Sequence, residues 1–258
     1  MGSVSIKLEK ISKRYRSLDG NRTVLESVTL TIKEGQRVAI VGPNGSGKST
    51  FLQIALGLTK PDVGSVNWSH GNLFSETSYI PQDYRNSLFP WLRLSSNIAL
   101  HLESQNRIAF GFGLNPSSET LNKFIQAASD IQMRFDLAKY PYQLSGGEQQ
   151  IFALLQAMLK KPNLLVVDEP FSAIDIHKKE IIIQYLSNWL FKTKPTALIV
   201  SHELSDAVFL ADRLVVFSRN SGEIRADITV EKEHPRTNEW RFGAEFRSIL
   251  EKTMEAFE

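Results

Sequence analysis

Nine consecutive residues, Gly42-Pro43-Asn44-Gly45-Ser46-Gly47-Lys48-Ser49-Thr50, constrain what this chain folds into more than any other stretch. They follow an apolar run, Val38 to Val41, and precede a helical pattern opening at Lys48. The spacing Gly42-x-x-x-x-Gly47-Lys48-Ser49 therefore predicts a strand, a phosphate-binding loop and a helix in that order. Glycines let the backbone curl until successive N–H groups face an anion. Lys48 offers an ammonium to β and γ oxygens, and Ser49 offers a hydroxyl to Mg²⁺. The dipole of the helix adds attraction for the anion. An ordinary glycine-rich turn is the alternative, and the strand before and helix after argue against it. The loop is expected to bind a nucleoside triphosphate.

A chain of 258 residues with 42% hydrophobic content buries a sizeable core. Thirty basic residues against 28 acidic give a net charge of +2, with the basic residues scattered, so charge predicts no nucleic-acid partner. The absence of cysteine excludes disulfides, thiolate metal sites and a thiol nucleophile. No apolar run approaches the roughly 18 residues that span a bilayer. The start of the sequence has no secretory pattern, and Ile6 stands where myristoylation prefers Ser or Thr. Membrane association is expected through a protein partner.

Val4, Ile6 and Leu8 alternate with polar residues, as do Val28, Leu30 and Ile32, which predicts half-buried antiparallel strands. Leu164 to Val167, Ala197 to Val200 and Leu214 to Phe217 are continuous apolar runs, expected of parallel strands covered on both faces. Between Pro81 and Lys161 strand signals stop. Leu121, Phe124, Ile125, Ala128 and Phe135 fall mostly at helical spacing, after a break at Gly111, Gly113, Asn115 and Pro116, with a helix start near Ser117 or Ser118. From His234 onward, Phe246, Ile249, Leu250, Met254 and Phe257 lie on roughly one helical face, expected to pack on the chain's own core.

The run Leu164 to Val167 ends in Asp168-Glu169, at the carboxyl edge where open α/β sheets bind ligands. Asp168 is expected to hold Mg²⁺ and Glu169 to polarise water. Ser145-Gly146-Gly147-Glu148 opens a helix whose expected apolar face is Ile151, Leu154, Leu155, Met158 and Leu159. Ser145 and Glu148 form a capping box. The two glycines cost about 1 kcal/mol each relative to alanine, so something must approach that backbone closely. A helix N-terminus stripped of side chains suits a phosphate.

With Leu144-Ser145-Gly146-Gly147 just upstream of Asp168-Glu169-Pro170, the chain resembles the ATP-binding cassette (ABC) ATPases over nearly its whole length. The resemblance implies an α/β P-loop NTPase (RecA-like) core with an N-terminal antiparallel β-subdomain and an inserted α-helical subdomain. Its expected divisions are 1–82, the antiparallel β-subdomain and phosphate loop; 83–161, the helical subdomain; 162–232, the core continued; and 233–258, a helical tail. It also implies that Tyr15 stacks on adenine, that Gln82 links the helical lobe to Mg²⁺ and the attacking water, and that His202 contacts the γ-phosphate. Ser172 to Asp175 match the loop after the catalytic glutamate. In that family two domains meet head to tail, so Ser145, Gly146 and Gly147 of one subunit close over ATP held by Lys48 of the other, a second copy or a homologue. Ile151 and Gln156 depart from the pattern, standing where the family usually has basic residues.

Three uses of ATP remain from sequence. One is a transport ATPase docked at the cytoplasmic face of a membrane permease. Another is a soluble family member acting on nucleic acid or ribosomes, which typically carries inserted coiled coils or fused cassettes that this chain lacks. The third is a nucleotide-gated module, which would be expected to lose Glu169 or His202. Asp83 to Trp91 with Asn97-Ile98, and Pro235-Arg236 with Phe246, resemble importers of the nitrate, sulfonate and taurine type, which implies an extracytoplasmic solute-binding protein as an indirect partner. Leu88, Phe89 and Trp91 are read either as core residues of the helical lobe or as the lining of a groove for a cytoplasmic permease helix.

Overall fold

The computed structural model describes residues 6–17, 20–69, 76–107, 115–218 and 222–257. Val4, Gly111 and Gly113, singled out above, lie outside them. Two sheets and a group of helices make up the rest. β1 (Ile6–Ser17), β2 (Gly20–Ile32) and β4 (Val63–Trp68) form an antiparallel sheet in the order β2-β1-β4. Ile6, Leu8, Val28, Leu30 and Ile32 are all buried on one face, so the period-two alternation sets which side faces the core.

The second sheet has the order β5-β6-β7-β3-β8-β9, built from β3 (Arg37–Val41), β5 (Thr77–Ile80), β6 (Leu164–Asp168), β7 (Thr196–Val200), β8 (Arg213–Phe217) and β9 (Ile224–Thr229). Five strands are parallel; β9 returns antiparallel beside β8. β6 and β7 are buried at every position, as their unbroken apolar runs require. One face packs on α1 (Lys48–Ala55) and the antiparallel sheet, the other on the remaining helices.

Between β5 and β6 the described residues contain no strand. They form α2 (Leu94–Arg107), α3 (Ser118–Asp130) and α4 (Gly146–Leu159). Ser117 caps α3 by accepting from the Thr120 N–H at 3.2 Å. Phe124, Phe135 and Phe152 meet at centroid separations of 4.8–5.8 Å and join α3 to α4. Phe135 lies beyond the end of α3, and Ile125 is exposed, so the apolar face of α3 is narrower than the spacing suggests. α4 is buried from Gln150 to Met158 rather than on one stripe, because it runs beneath the sheet and the other helices together. None of the helices among the described residues is long and apolar enough to cross a membrane.

α5 (Ile176–Thr193) and α6 (Leu204–Leu210) flank β7, and α7 (Asn238–Arg241) and α8 (Ala244–Glu255) close the chain. Phe246 is buried on α8 and Ile249, Leu250 and Phe257 pack against the core, but Met254 is 58% exposed while Thr253 turns inward and bonds the Ile249 carbonyl. The largest fully buried side chain of the tail is Arg236. It is fully buried and donates to the carbonyls of Val208, Phe209 and Ala211, three of the acceptors left open at the end of α6, and to those of Val230 and Lys232. Its guanidinium also lies 4.9 Å from the Trp240 ring centroid. Burial pulls its pKa down to about 10, still well above neutrality. Replacing Arg236 by Met should strand these carbonyls and lower unfolding stability by about 3 kcal/mol, measured by urea denaturation. A loss below about 1 kcal/mol would show that water satisfies them.

Candidate active site

Strand order decides which loops meet. β5, β6, β7 and β3 are successive neighbours, so their carboxyl ends deliver Gln82, Asp168 with Glu169, His202 and the Gly42–Thr50 loop to one edge of the sheet. In the loop, Gly47 adopts φ 96° as N-cap of α1, and a Cβ there would sit 2.6 Å from the Val24 carbonyl oxygen. Only glycine tolerates both conditions. No side chain caps α1, which leaves its first N–H groups directed out of the helix.

Lys48 is buried, and its ammonium donates to the carbonyls of Gly42 at 2.8 Å and Pro43 at 2.9 Å, bracing the loop from inside. Burial lowers its pKa, opposed by the charges of Glu169 and Asp168. Tyr15, Asn44, Gly45, Gly47, Lys48, Ser49, Thr50, Gln82 and Glu169 line a cleft of about 370 Å³ beside the loop. Ser46 is buried under it. Arg22, directly across the strand pair from Tyr15, also lines the cleft. No sequence signal marks it, because only the β1–β2 register brings it there.

Asp168 sits at the end of β6, 2% exposed. Burial raises its pKa first; a hydrogen bond from Ser49 and the charge of Lys48 lower it, and Glu169 raises it. Its Oδ1 is buried without a hydrogen-bond partner. An orphaned carboxylate oxygen beside a hydroxyl, next to a phosphate loop, is a hard-oxygen donor set of the kind that holds Mg²⁺ together with substrate phosphates. The residues present fit that ion.

Glu169 follows with φ 53°, a left-handed backbone uncommon for a residue with a side chain. It is held by its N–H on the Val200 carbonyl. Its Oε2 lies 3.3 Å from His202 Nδ1 and accepts from Gln82 Nε2 at 3.4 Å. Two residues far apart in sequence, Gln82 and His202, thus converge on one carboxylate at the cleft wall. A second brace carries no sequence signal. Gln150, buried in α4, donates to the Glu169 carbonyl and the Ser172 hydroxyl and accepts from the Ala173 N–H.

Ser145, Gly146, Gly147 and Asp175 do not line this cleft. Ser145 and Glu148 form the expected capping box on α4. The close approach demanded by the two glycines comes from this chain: a Cβ on Gly146 would lie 2.7 Å from the Tyr84 hydroxyl, and one on Gly147 2.8 Å from the Ala173 carbonyl. Asp175 caps α5, accepting from the Lys178 N–H at 3.1 Å. Ile151 belongs to the core, and Gln156 is buried with its amide nitrogen unpartnered, so packing occupies both positions where a charge is expected.

The family profile described as ABC transporter matches residues 25–172. The chain is 28% identical over 258 residues to an aliphatic sulfonates import ATP-binding protein, SsuB, of Bacillus cereus, spanning 99% of this chain and 96% of that protein. It is 37% identical over 228 residues to the sulfate/thiosulfate import ATP-binding protein CysA of Mesostigma viride, covering 86% of this chain and 61% of that one. Among solved structures it is similar to the dimeric structure of a post-hydrolysis state of an ATP-binding cassette bound to ADP and Pi, with TM-score 0.73, 27% identity, 88% of this chain and all of that chain covered.

Replacing Lys48 by Ala removes the brace on the loop and the ammonium expected to meet phosphate. Affinity for MgATP should fall by about 10- to 100-fold in a fluorescent-nucleotide titration, and unchanged affinity and turnover would take Lys48 out of the site.

Proposed function

Because the chain belongs to the ABC transporter family and is an ATPase of it, we propose that it is the ATP-hydrolysing subunit of an importer. The observation that carries the reading is the contact of Gln82 and His202 with the carboxylate of Glu169, which lines the phosphate-loop cleft. ATP lies with its adenine on Tyr15 and its phosphates on residues 42–50. Ser49 and Asp168, with Gln82 in reach, would hold Mg²⁺, which would supply neutralisation of phosphate charge. Lys48 and the loop N–H groups hold the β and γ oxygens. Glu169 takes a proton from the attacking water, and His202 orients that water and the γ-phosphate. Hydrolysis by such a site is mostly positioning and charge stabilisation. The divisions of the chain after residues 82, 161 and 232 belong to the same reading.

The site is completed by a second copy or a homologous subunit, arranged head to tail. Ser145, Gly146 and Gly147 of one subunit close over the nucleotide of the other, and Asp175 lies beside them. Two facts support this. Within one chain these residues stand away from the cleft, and the similar cassette bound to ADP and Pi is dimeric. The dimer sits at the cytoplasmic face of the membrane on permease subunits, with a solute-binding protein on the other side. Nitrate, a sulfonate, taurine or a similar small molecule is the solute; the names of the sulfonate and sulfate/thiosulfate relatives support that class.

A groove of about 690 Å³ beside α4 receives the permease. Leu88 is buried core, but Phe89 is half-exposed and Trp91 70% exposed, their rings edge to face at 5.5 Å; Tyr142, opposite, is 69% exposed. The segment is rigid for a reason. Asn97, 2% exposed, accepts from the Phe89 N–H and donates to the carbonyls of Phe89, Leu92 and Arg93. A rigid aromatic ledge is the kind of surface that carries binding energy.

Glu169→Gln should still bind MgATP but lose about 10²- to 10⁴-fold in turnover, the size of a general-base contribution. Near-parental hydrolysis would reject the assignment. Trp91→Ala should weaken capture of the permease by about 30-fold and abolish transport in reconstituted vesicles, with ATPase activity of the isolated subunit retained. Parental transport would place the permease elsewhere.

A further inference from the structure

A cluster of four charges behind the cleft has no part in the chemistry described so far. Lys179, near the start of α5, is buried, and its ammonium meets Glu203 directly and Asp206 at 2.7 Å. Asp206 is 2% exposed and takes a second cation, Arg241 from α7, at 3.2 Å. Burial raises the pKa of Asp206, while Lys179 and Arg241 oppose the shift. A buried ammonium is costly unless paired, so this lysine is kept only where its partners hold it.

Its partners lie next to the site. Glu203 follows His202 in sequence. The Ser201 hydroxyl accepts from the Glu203 N–H at 3.0 Å and donates to the Glu203 carbonyl at 3.1 Å, closing the 201–203 turn on itself. That turn is anchored from outside by the Lys179–Glu203 pair. The His202 side chain is 49% exposed, and its polar contact among the described residues is with Glu169. No other polar contact among the described residues fixes the reach of the imidazole, so the position of the turn does.

Lys179 also belongs to the other side of the His202–Glu169 contact. Its N–H bonds the carbonyl of Asp175, the cap that ends the segment running on from Glu169. One residue therefore ties the loop after the glutamate to the turn that carries the histidine. Without its ammonium, Glu203 and Asp206 repel each other and the turn is free to move away.

We propose that Lys179 is a positioning residue for hydrolysis: through Glu203 it holds His202 at working distance from Glu169. The inference rests on the reading of Glu169 and His202 as the hydrolytic pair. It predicts an effect on turnover with no effect on nucleotide affinity, because neither Lys179 nor Glu203 lines the cleft.

The test is steady-state Mg-ATPase activity of the full chain, with His202→Ala measured in parallel. Glu203 is half-exposed and its removal leaves Lys179 paired with Asp206, so Glu203→Ala should fold. Its kcat should fall about tenfold, the scale of a sub-ångström to ångström misplacement, with KM within about twofold of the parent. Glu203→Gln keeps an acceptor for the ammonium and should retain most of the activity, as should Lys179→Arg. Lys179→Met should reproduce the loss seen in Glu203→Ala, and where it does not fold, Glu203→Ala decides. Parental kcat in Glu203→Ala beside a disabled His202→Ala overturns the tether and leaves the histidine assignment standing. Parental kcat in His202→Ala removes both. A fall in Glu203→Ala that comes with a raised KM, or that Glu203→Gln shares in full, also overturns the proposal.

Discussion

The pairing of β3, β5, β6 and β7 is the constraint on which the site depends. Each strand contributes one short segment at its carboxyl end: the phosphate loop, Gln82, the Asp168-Glu169 pair and His202. None of these segments could form a site alone. Parallel pairing in the observed register, Ile80 beside Val167, Asp168 beside Val200, Ile40 beside Val200, brings them level. β3, β6 and β7 are buried on both faces by Val, Ile, Leu and Ala, so sliding one by a residue would disrupt both layers at once. Hydrophobic burial of the sheet is thus what fixes the distances among the polar groups at its edge.

Much of this was legible in the sequence, for reasons that differ by residue. The Gly42–Thr50 loop declares itself because its backbone needs glycine where φ is positive and the neighbouring strand is close, as Gly47 shows. The buried strands declare themselves by unbroken apolar runs. The capping box at Ser145 and Glu148 is local chemistry within four residues, and it stands as read. Gln82 and His202 were placed by resemblance, since nothing near either in sequence requires the contact with Glu169 that the fold creates.

What could not be read is what depends on three-dimensional partners. Gln150 lies outside the apolar face expected of its helix, yet α4 is buried nearly all round and the Gln150 amide ties the Glu169–Ala173 segment. Arg236 is singled out by resemblance alone, and nothing near it in sequence shows that it is fully buried with its guanidinium on the carbonyls at the end of α6. Met254 fits the apolar stripe by count and faces outward, since the helix is short and Thr253 takes the inward place by bonding its own backbone. Sequence periodicity reports which side of an element is apolar on average; it is silent about single polar groups whose partners come from elsewhere.

The glycines of the Ser145–Gly147 segment carry two meanings at once. Their lack of side chains admits the Tyr84 hydroxyl and the Ala173 carbonyl from the same chain, which is sufficient reason for glycine at both positions. That packing also has a mechanical consequence. Ala173 lies in the segment that Gln150 ties to α4, and the same segment runs from Glu169 to the Asp175 cap of α5. Any force applied to the N-terminus of α4 is therefore delivered to the backbone of Glu169 through the Gly147–Ala173 contact and one buried amide. Substituting Gly146 would press on Tyr84, and substituting Gly147 would press on the Ala173 backbone and so disturb the glutamate of its own chain. Gly147 then serves the placement of the chain's own carboxylate, a requirement that holds in the isolated subunit, in addition to the proposed one for a partner's phosphate.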